Sequence, residues 1–219
     1  PAYNIIGVLE GTDPKLKNEF VIISAHYDHV GIGRADATGD SIYNGADDNA
    51  SGVAGLLELA RVYAQNDLKE PFNLLFIAFG AEELGLLGSL HYTEHPVIPL
   101  EQVHWMLNMD MIGRYNPENG VAVIGYGTSP AFTEIFEDIT SDIKFYTGKD
   151  GKGGSDQTSF YLKNIPVLFF HTGGHPDYHK STDDADKIDY MSLKAILELE
   201  INVIDRSMQI EQMEFTPTN

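Results

Sequence analysis

The 219-residue sequence contains no cysteine. Disulfide bonds and thiolate metal ligands are therefore excluded, and histidine, aspartate and glutamate are the strong metal ligands that remain. Long apolar runs are also absent, since the longest, from Leu74 to Phe79, falls well short of the roughly 20 residues that a spanning helix needs. We therefore expect a protein without a membrane span.

Basic residues are scarce: 14 lysines and arginines stand against 33 aspartates and glutamates, for a net charge of -19. Such a surface repels a phosphate backbone, which argues against nucleic acid and anionic membranes as partners. The same charge favours a cationic ligand. An alternative is that the acidity serves only to keep the protein soluble.

The first residues lack the basic segment, apolar stretch and small-residue cleavage site of a signal peptide. Any export signal would lie upstream, and the absence of cysteine is compatible with export. We therefore expect a periplasmic or secreted protein whose signal segment is not part of this sequence. The length and the 42% hydrophobic composition predict one catalytic domain over residues 1–219, taken from a longer precursor.

Short apolar runs rich in β-branched residues alternate with segments of helical periodicity. We predict strands at residues 4–9, 20–24, 72–79, 103–109, 121–124 and 166–170. We predict helices at residues 50–64, 82–92, 130–140 and 192–212. This alternation is typical of an α/β three-layer sandwich, in which a central mixed, mostly parallel sheet is flanked by helices.

Five polar blocks follow or precede these elements: AHYDH, GADDNASG, GAEELGLLGS, NMDMIGR and PDYHKSTDD. Each block alone is weak evidence, because a histidine or carboxylate beside a strand end usually lies on the surface. Together they supply the nitrogen and oxygen ligands, including a bridging carboxylate, that two neighbouring divalent ions require. In open α/β sheets such a site lies at the carboxyl ends of the strands.

In this order and spacing the five blocks resemble the M28 family of zinc aminopeptidases, over residues 4 to 189. The resemblance implies a zinc-exopeptidase fold with two Zn²⁺ ions. It also implies hydrolysis of the amino-terminal bond of peptides with a free amino terminus, through a metal-bridging hydroxide. A further implication is a cis peptide bond between Asp47 and Asp48.

The resemblance assigns a role to each matching residue. The implied metal ligands are His26, Asp47, Glu83, Asp110 and His179. Asp47 would bridge the two ions, and Asp28 would orient His26. Glu82 would act as the general base, and Tyr178 would donate a hydrogen bond to the developing oxyanion.

Residues 153–170 resemble the segment that lines the substrate side of the cleft in this family. Gln157 departs from the pattern, since many relatives have histidine there. Four aromatic residues of this segment are candidates for pocket walls, although they would equally suit the core: Phe160, Tyr161, Phe169 and Phe170. We interpret His29, His171 and His175 as incidental histidines.

Three other functions remain open. A metallocarboxypeptidase or dipeptidase would need a cation for the substrate carboxylate, and Arg34, Arg114 and Lys152 are the candidates. A glutaminyl cyclase of related fold would use a single zinc ion. A non-catalytic binding domain on the same scaffold would have lost ligands, whereas none is missing here.

Overall fold

The computed structural model describes residues 1–66 and 70–218. Its strands are β1 (Ile5–Leu9), β2 (Phe20–His26), β3 (Gly31–Ile32), β4 (Ile42–Tyr43), β5 (Asn73–Phe79), β6 (Val103–Met109), β7 (Val121–Ile124), β8 (Phe145–Gly148) and β9 (Val167–His171). Its α-helices are α1 (Gly52–Gln65), α2 (Leu87–Glu94), α3 (Ala131–Phe136), α4 (Gln157–Tyr161) and α5 (Tyr190–Ser207). A distorted helical turn over Ala46–Ser51 precedes α1.

Seven strands form one sheet in the order β1-β5-β2-β6-β9-β7-β8, and β3 pairs with β4 in a separate hairpin. The four central neighbours, β5, β2, β6 and β9, run parallel to one another. β1 is antiparallel to β5, and β7 is antiparallel to β9. The predicted mixed, mostly parallel sheet is confirmed, and the carboxyl ends of its central strands lie along one edge.

Helices cover both faces of the sheet, so the central strands are apolar on both sides. On β2, Ile23 packs into a cluster that includes residues of α1, α3 and α5. The neighbouring Ile22 points to the other face, where it packs with Tyr92 of α2 and Phe160 of α4. This alternation is the period of a β-strand and gives the three layers.

Several elements differ from the sequence-based prediction. The helix expected from Glu82 begins at Leu87, because Ala81 and Leu86 adopt positive φ angles of 59° and 60° and residues 81–86 form turns. The helix expected over 130–140 ends at Phe136, and Asp138 has a φ of 60°. The last helix ends at Ser207 rather than at residue 212.

None of the helices in residues 1–66 and 70–218 has both the length and the apolar character that crossing a membrane requires.

Candidate metal centre

A first group of potential ligands lies where β2 and β6 end. His26 is the last residue of β2, and its Nε2 lies 3.3 Å from Oδ1 of Asp48 and 3.3 Å from Oδ1 of Asp110. All three side chains are buried. The parallel register of β2 and β6 brings His26 and Asp110 to the same edge of the sheet. The turn before α1 brings Asp48 beside His26.

A second group shares Asp48 with the first. Nε2 of His179 lies 3.1 Å from Oδ2 of Asp48 and 3.0 Å from Oε2 of Glu83. Nδ1 of His29 lies 2.9 Å from Oε1 of Glu83 and 3.8 Å from Oδ2 of Asp48. The two oxygens of Asp48 therefore face different groups of ligands.

The donor atoms of these groups point at shared positions rather than at one another. Nε2 of His26, Oδ1 of Asp110, Oε1 of Glu83 and Nε2 of His179 are buried without a hydrogen-bond partner in the described chain. Yet each has an opposing nitrogen or oxygen within 2.9 to 3.3 Å. Atoms that ligate one cation at about 2.0–2.2 Å have this arrangement, and imidazole with carboxylate is a donor set that suits zinc. The residues therefore fit a pair of metal ions.

The prediction that placed Asp47 between the two groups is wrong. Oδ1 of Asp47 accepts a hydrogen bond from the backbone N–H of Gly113 at 2.7 Å, and Oδ2 lies 3.1 Å from Nε2 of His175. These contacts hold the side chain away from both groups, and the next residue, Asp48, takes the shared position. The cis peptide bond likewise joins Asp48 to Asn49, not Asp47 to Asp48.

The turn that presents Asp48 is fixed by distant side chains. Oδ2 of Asp183 accepts hydrogen bonds from the backbone N–H groups of Asp47 and Asp48, at 3.0 and 3.1 Å. The side chain of Asn49 donates to the carbonyl of Met109 and accepts from the N–H of Gly52. The shared carboxylate is thus held to β6 and to the loop that carries His179.

Asp28 supports both His26 and the loop after β5. Nδ1 of His26 lies 3.1 Å from the backbone oxygen of Asp28, and 3.7 Å from its carboxylate. The carboxylate oxygens accept from the N–H groups of Glu82 and Glu83 at 3.0 and 3.2 Å. Asp28 therefore orients His26 through its backbone oxygen and the Glu82–Glu83 pair through its carboxylate.

Electrostatics differ between the ligand positions and Glu82. Burial on its own would lower the pKa of His26, but hydrogen bonds with Asp110, Asp28 and Asp48 outweigh it and raise that pKa. These carboxylates therefore favour positive charge at their centre. Burial raises the pKa of Glu82 to about 8, and the neighbouring charge of Asp110 adds to the effect. A carboxyl group with this pKa can exchange a proton near neutral pH.

A cavity of about 260 Å³ opens beside both groups. Its polar wall carries Glu82 and Tyr178 beside the ligand candidates, and the ring of Tyr178 stacks on His179 with 3.9 Å between centroids. The remaining wall is made of Met111, Phe169 and His171, with Gly154 and Gly174. Of the four aromatic residues considered as pocket walls, Phe169 lines the cavity, whereas Phe160, Tyr161 and Phe170 pack in the core.

Sequence reasoning missed one histidine of the second ligand group and one histidine that contacts Asp47. His29 contacts Glu83, and His175 contacts Asp47. Their positions held a signal: His29 lies three residues after His26 in the first block, and His175 lies four residues before His179, directly before the last block. Gln157, which departs from the family pattern, is buried, and its Oε1 accepts a hydrogen bond from the side chain of Asn108 at 3.2 Å.

The three basic residues considered as partners of a substrate carboxylate were Arg34, Arg114 and Lys152, and none of them lines the described cavity. Arg114 pairs with Asp177 at 3.1 Å, and Lys187 pairs with the same carboxylate at 2.8 Å. Arg34 and Lys152 are not among the described residues that line the cavity. Apart from its histidines, the ionisable side chains that line the described cavity are therefore Tyr178 and the carboxylates of Asp48, Glu82 and Asp110.

The fold and the two converging groups define an α/β protein with a metal-binding centre at the carboxyl edge of its sheet. The chain belongs to peptidase family M28, because the model of that family matches residues 4–204. The resemblance read from the five polar blocks is thereby confirmed.

Known relatives agree with this membership. Aminopeptidase YwaD of Bacillus subtilis is 40% identical over 195 residues, which covers 84% of this chain and 40% of that protein. A zinc aminopeptidase structure from Bacillus subtilis superimposes with a TM-score of 0.75 and 29% identity, over 93% of this chain and 49% of the other. The glutaminyl cyclase of Porphyromonas gingivalis, at 19% identity and a TM-score of 0.72 over 94% and 78%, shares the fold. The chain spans about half the length or less of the two Bacillus proteins.

Proposed function

We propose that this chain is the catalytic part of a zinc-dependent aminopeptidase that holds two zinc ions. The observation that carries the proposal is the shared carboxylate of Asp48, whose oxygens face two separate ligand groups 3.1 to 3.3 Å away. The names of the relatives, aminopeptidase and zinc aminopeptidase, support the same activity. The proposed substrates are peptides with a free amino terminus.

In this proposal each ion has its own ligands on either side of Asp48. His26 and Asp110 hold one ion, while Glu83 and His179 hold the other. His29 adds a nitrogen beside Glu83, 2.9 Å from its Oε1. When bound, zinc supplies Lewis acidity that polarises a carbonyl group and lowers the pKa of water.

Glu82 is the proposed general base. It lines the cavity beside Asp48 and Asp110, and burial keeps its pKa near neutrality. Glu82 accepts a proton from the attacking water and returns it to the leaving amine, so the carboxyl group ends the cycle as it began. Tyr178 lines the same cavity, and it is the proposed hydrogen-bond donor to the oxyanion that forms from the scissile carbonyl.

The charge of the cavity favours the amino end of a peptide. Glu82, Asp48 and Asp110 line it, and they attract an ammonium group. A carboxypeptidase or dipeptidase would need an unpaired arginine or lysine, but Arg114 is bound to Asp177. The geometry therefore supports the aminopeptidase over these alternatives.

The test uses three versions of one peptide: free, acetylated at the amino terminus, and amidated at the carboxyl terminus. We expect the zinc-loaded protein to release the first residue of the free and amidated peptides at similar rates. Acetylation should abolish cleavage, because it removes the ammonium charge. Cleavage of the acetylated peptide together with resistance of the amidated one would replace the aminopeptidase by a carboxypeptidase.

A single-zinc glutaminyl cyclase is the second candidate, and it is supported only by a shared fold. The second ligand group, with Glu83 and His179 beside Asp48, argues against it. Elemental analysis after dialysis should give about two zinc ions per chain. One ion per chain, with cyclisation of a peptide that begins with glutamine, would favour the cyclase.

A further inference from the structure

His171 ends β9 on the wall of the cavity that faces the metal centre. Phe169, two residues earlier on the same face of the strand, lies parallel to it, with ring centroids 5.2 Å apart and an interplanar angle of 7°. The two rings are stacked along this wall of the cavity, which is apolar at Phe169 and polar at His171. Met111 completes this side of the cavity.

The hydrogen position on His171 is fixed by the backbone. The N–H of Gly173 donates to Nδ1 of His171 at 3.1 Å. A ring nitrogen that accepts a hydrogen bond carries no proton, so the neutral imidazole has its hydrogen on Nε2. Burial lowers the pKa of His171, which keeps the ring neutral. The described chain offers Nε2 no hydrogen-bond partner, so this donor remains available to a ligand in the cavity.

The proposed reaction determines which part of a substrate reaches this wall. The scissile carbonyl must lie beside Glu82, and the ammonium group must lie among the carboxylates of the polar wall. The side chain of the first residue is attached to the carbon between these two groups. It therefore projects towards the remaining wall of the cavity, where Phe169 and His171 lie.

We propose that His171 selects the first residue of the substrate by donating a hydrogen bond from Nε2 to a neutral polar side chain. This inference rests on the proposed aminopeptidase function. An aliphatic side chain would leave the Nε2 donor of His171 without a partner. An unpaired buried donor costs binding energy, so such a substrate would be cleaved less efficiently. A carboxylate side chain would accept the bond but would be repelled by Glu82, Asp48 and Asp110 across the cavity.

Asparagine and leucine test the inference, because their side chains have nearly the same shape and differ in polarity. Aspartate adds the charge. We would measure kcat/KM for three peptides that differ only in this first residue. For the native protein we expect asparagine to exceed leucine by about tenfold, as one net hydrogen bond provides, with aspartate the poorest.

Two variants of one position separate the hydrogen bond from packing. His171→Phe keeps a flat ring against Phe169 but removes the donor, so leucine should become the better substrate. His171→Gln keeps an N–H donor and should retain the preference for asparagine. Zinc content and melting temperature, measured for both variants, should match the native protein.

Three other results would contradict either the role of His171 or the aminopeptidase function on which it rests. An unchanged asparagine-to-leucine ratio in His171→Phe, with cleavage intact, would overturn the role of His171 while leaving the aminopeptidase standing. An equal loss of kcat/KM for all three peptides in His171→Phe would indicate a contact with the main chain of the substrate instead. That result would also overturn the role of His171 in selecting the first residue. Failure of the native zinc-loaded protein to cleave any of them would remove the proposed function, and this inference with it.

Discussion

Two regions of this protein bury ionisable side chains, and they do so in opposite ways. At the carboxyl edge of the sheet, His26, Asp48 and Asp110 are buried together, with donor atoms that converge on shared positions. In the interior, Glu200 of α5 is fully buried and neither carboxylate oxygen has a partner in the described chain. His104 of β6 is buried beside Phe72 and contacts the carbonyl of Ile210.

The difference shows in the pKa values. Burial raises the pKa of Glu200 well above its ordinary value, which favours its neutral form. Burial lowers the pKa of His104 to about 4, so this side chain is neutral at pH 7. At the metal centre the neighbouring carboxylates overcome burial and favour the charged form of His26. Burial of a titratable group therefore does not mark a functional site; convergence of several such groups does.

The largest effect should come from removing the shared carboxylate. We expect Asp48→Ala to lose most of its bound zinc and its activity, because both ligand groups depend on this side chain. Elemental analysis after dialysis measures the loss. Asp47→Asn is the matched control: it can still accept from Gly113, and it should keep both ions. Full zinc loading of Asp48→Ala would remove that residue from the centre.

Glu82→Gln should separate proton transfer from metal binding. The amide cannot accept a proton, so kcat should fall by about 10² to 10⁴, the usual range for loss of a general base. The zinc content should stay that of the native protein, since Glu82 belongs to neither ligand group. Steady-state kinetics with parallel metal analysis provides the check. Near-native kcat with full metal would place the base elsewhere.

The buried side chain of His104 should make the stability of the fold depend on pH. The folded pKa of His104 is about 4, below the ordinary value of about 6.5. Its contribution is therefore complete above pH 6.5 and is lost as the pH falls, by up to about 3 kcal/mol near pH 4. His104→Gln, which keeps a donor for Ile210, should lose less stability over this range. Urea unfolding at pH 7 and pH 4.5 compares the two proteins, and identical pH profiles would contradict the assignment.

Glu200 should give a pH dependence of stability of opposite sign. Its raised folded pKa means that the unfolded chain ionises first, so its contribution to stability is lost as the pH rises above about 4.5. Glu200→Gln does not titrate, so between pH 5 and pH 8 it should lose less stability than the native protein. Activity should be unchanged. Equal losses of stability in the two proteins would contradict the raised pKa of Glu200 in the folded state.

The sequence predicted the regular core better than it predicted the turns of the site. The central strands were found because both of their faces are buried, which leaves continuous apolar runs such as Leu74 to Phe79. β8 was missed because it is a short, half-exposed edge strand that contains Gly148, and α4 has only five residues, too few to show helical periodicity.

Within the site, errors came from contacts that no local pattern encodes. Asp47 and Asp48 are adjacent and chemically identical, and contacts with distant residues such as Gly113 and His175 decide which of them faces the ligand groups. His29 was dismissed because nothing in the sequence places it beside Glu83, 54 residues away. The positive φ angles of Ala81 and Leu86 moved the Glu82–Glu83 pair from a predicted helix into a loop.

The two hydrogen bonds that the backbone N–H groups of Asp47 and Asp48 donate to Asp183 each join residues more than 130 positions apart in the sequence. During synthesis, residues 1–109 can emerge and pair β1, β5, β2 and β6 before the segment that carries His179 and Asp183 exists. Contacts of such separation form late in folding, because the intervening chain must first be ordered. We therefore expect nascent and partly folded chains to lack the proposed aminopeptidase activity, since both ligand groups are complete only when the last third of the molecule docks.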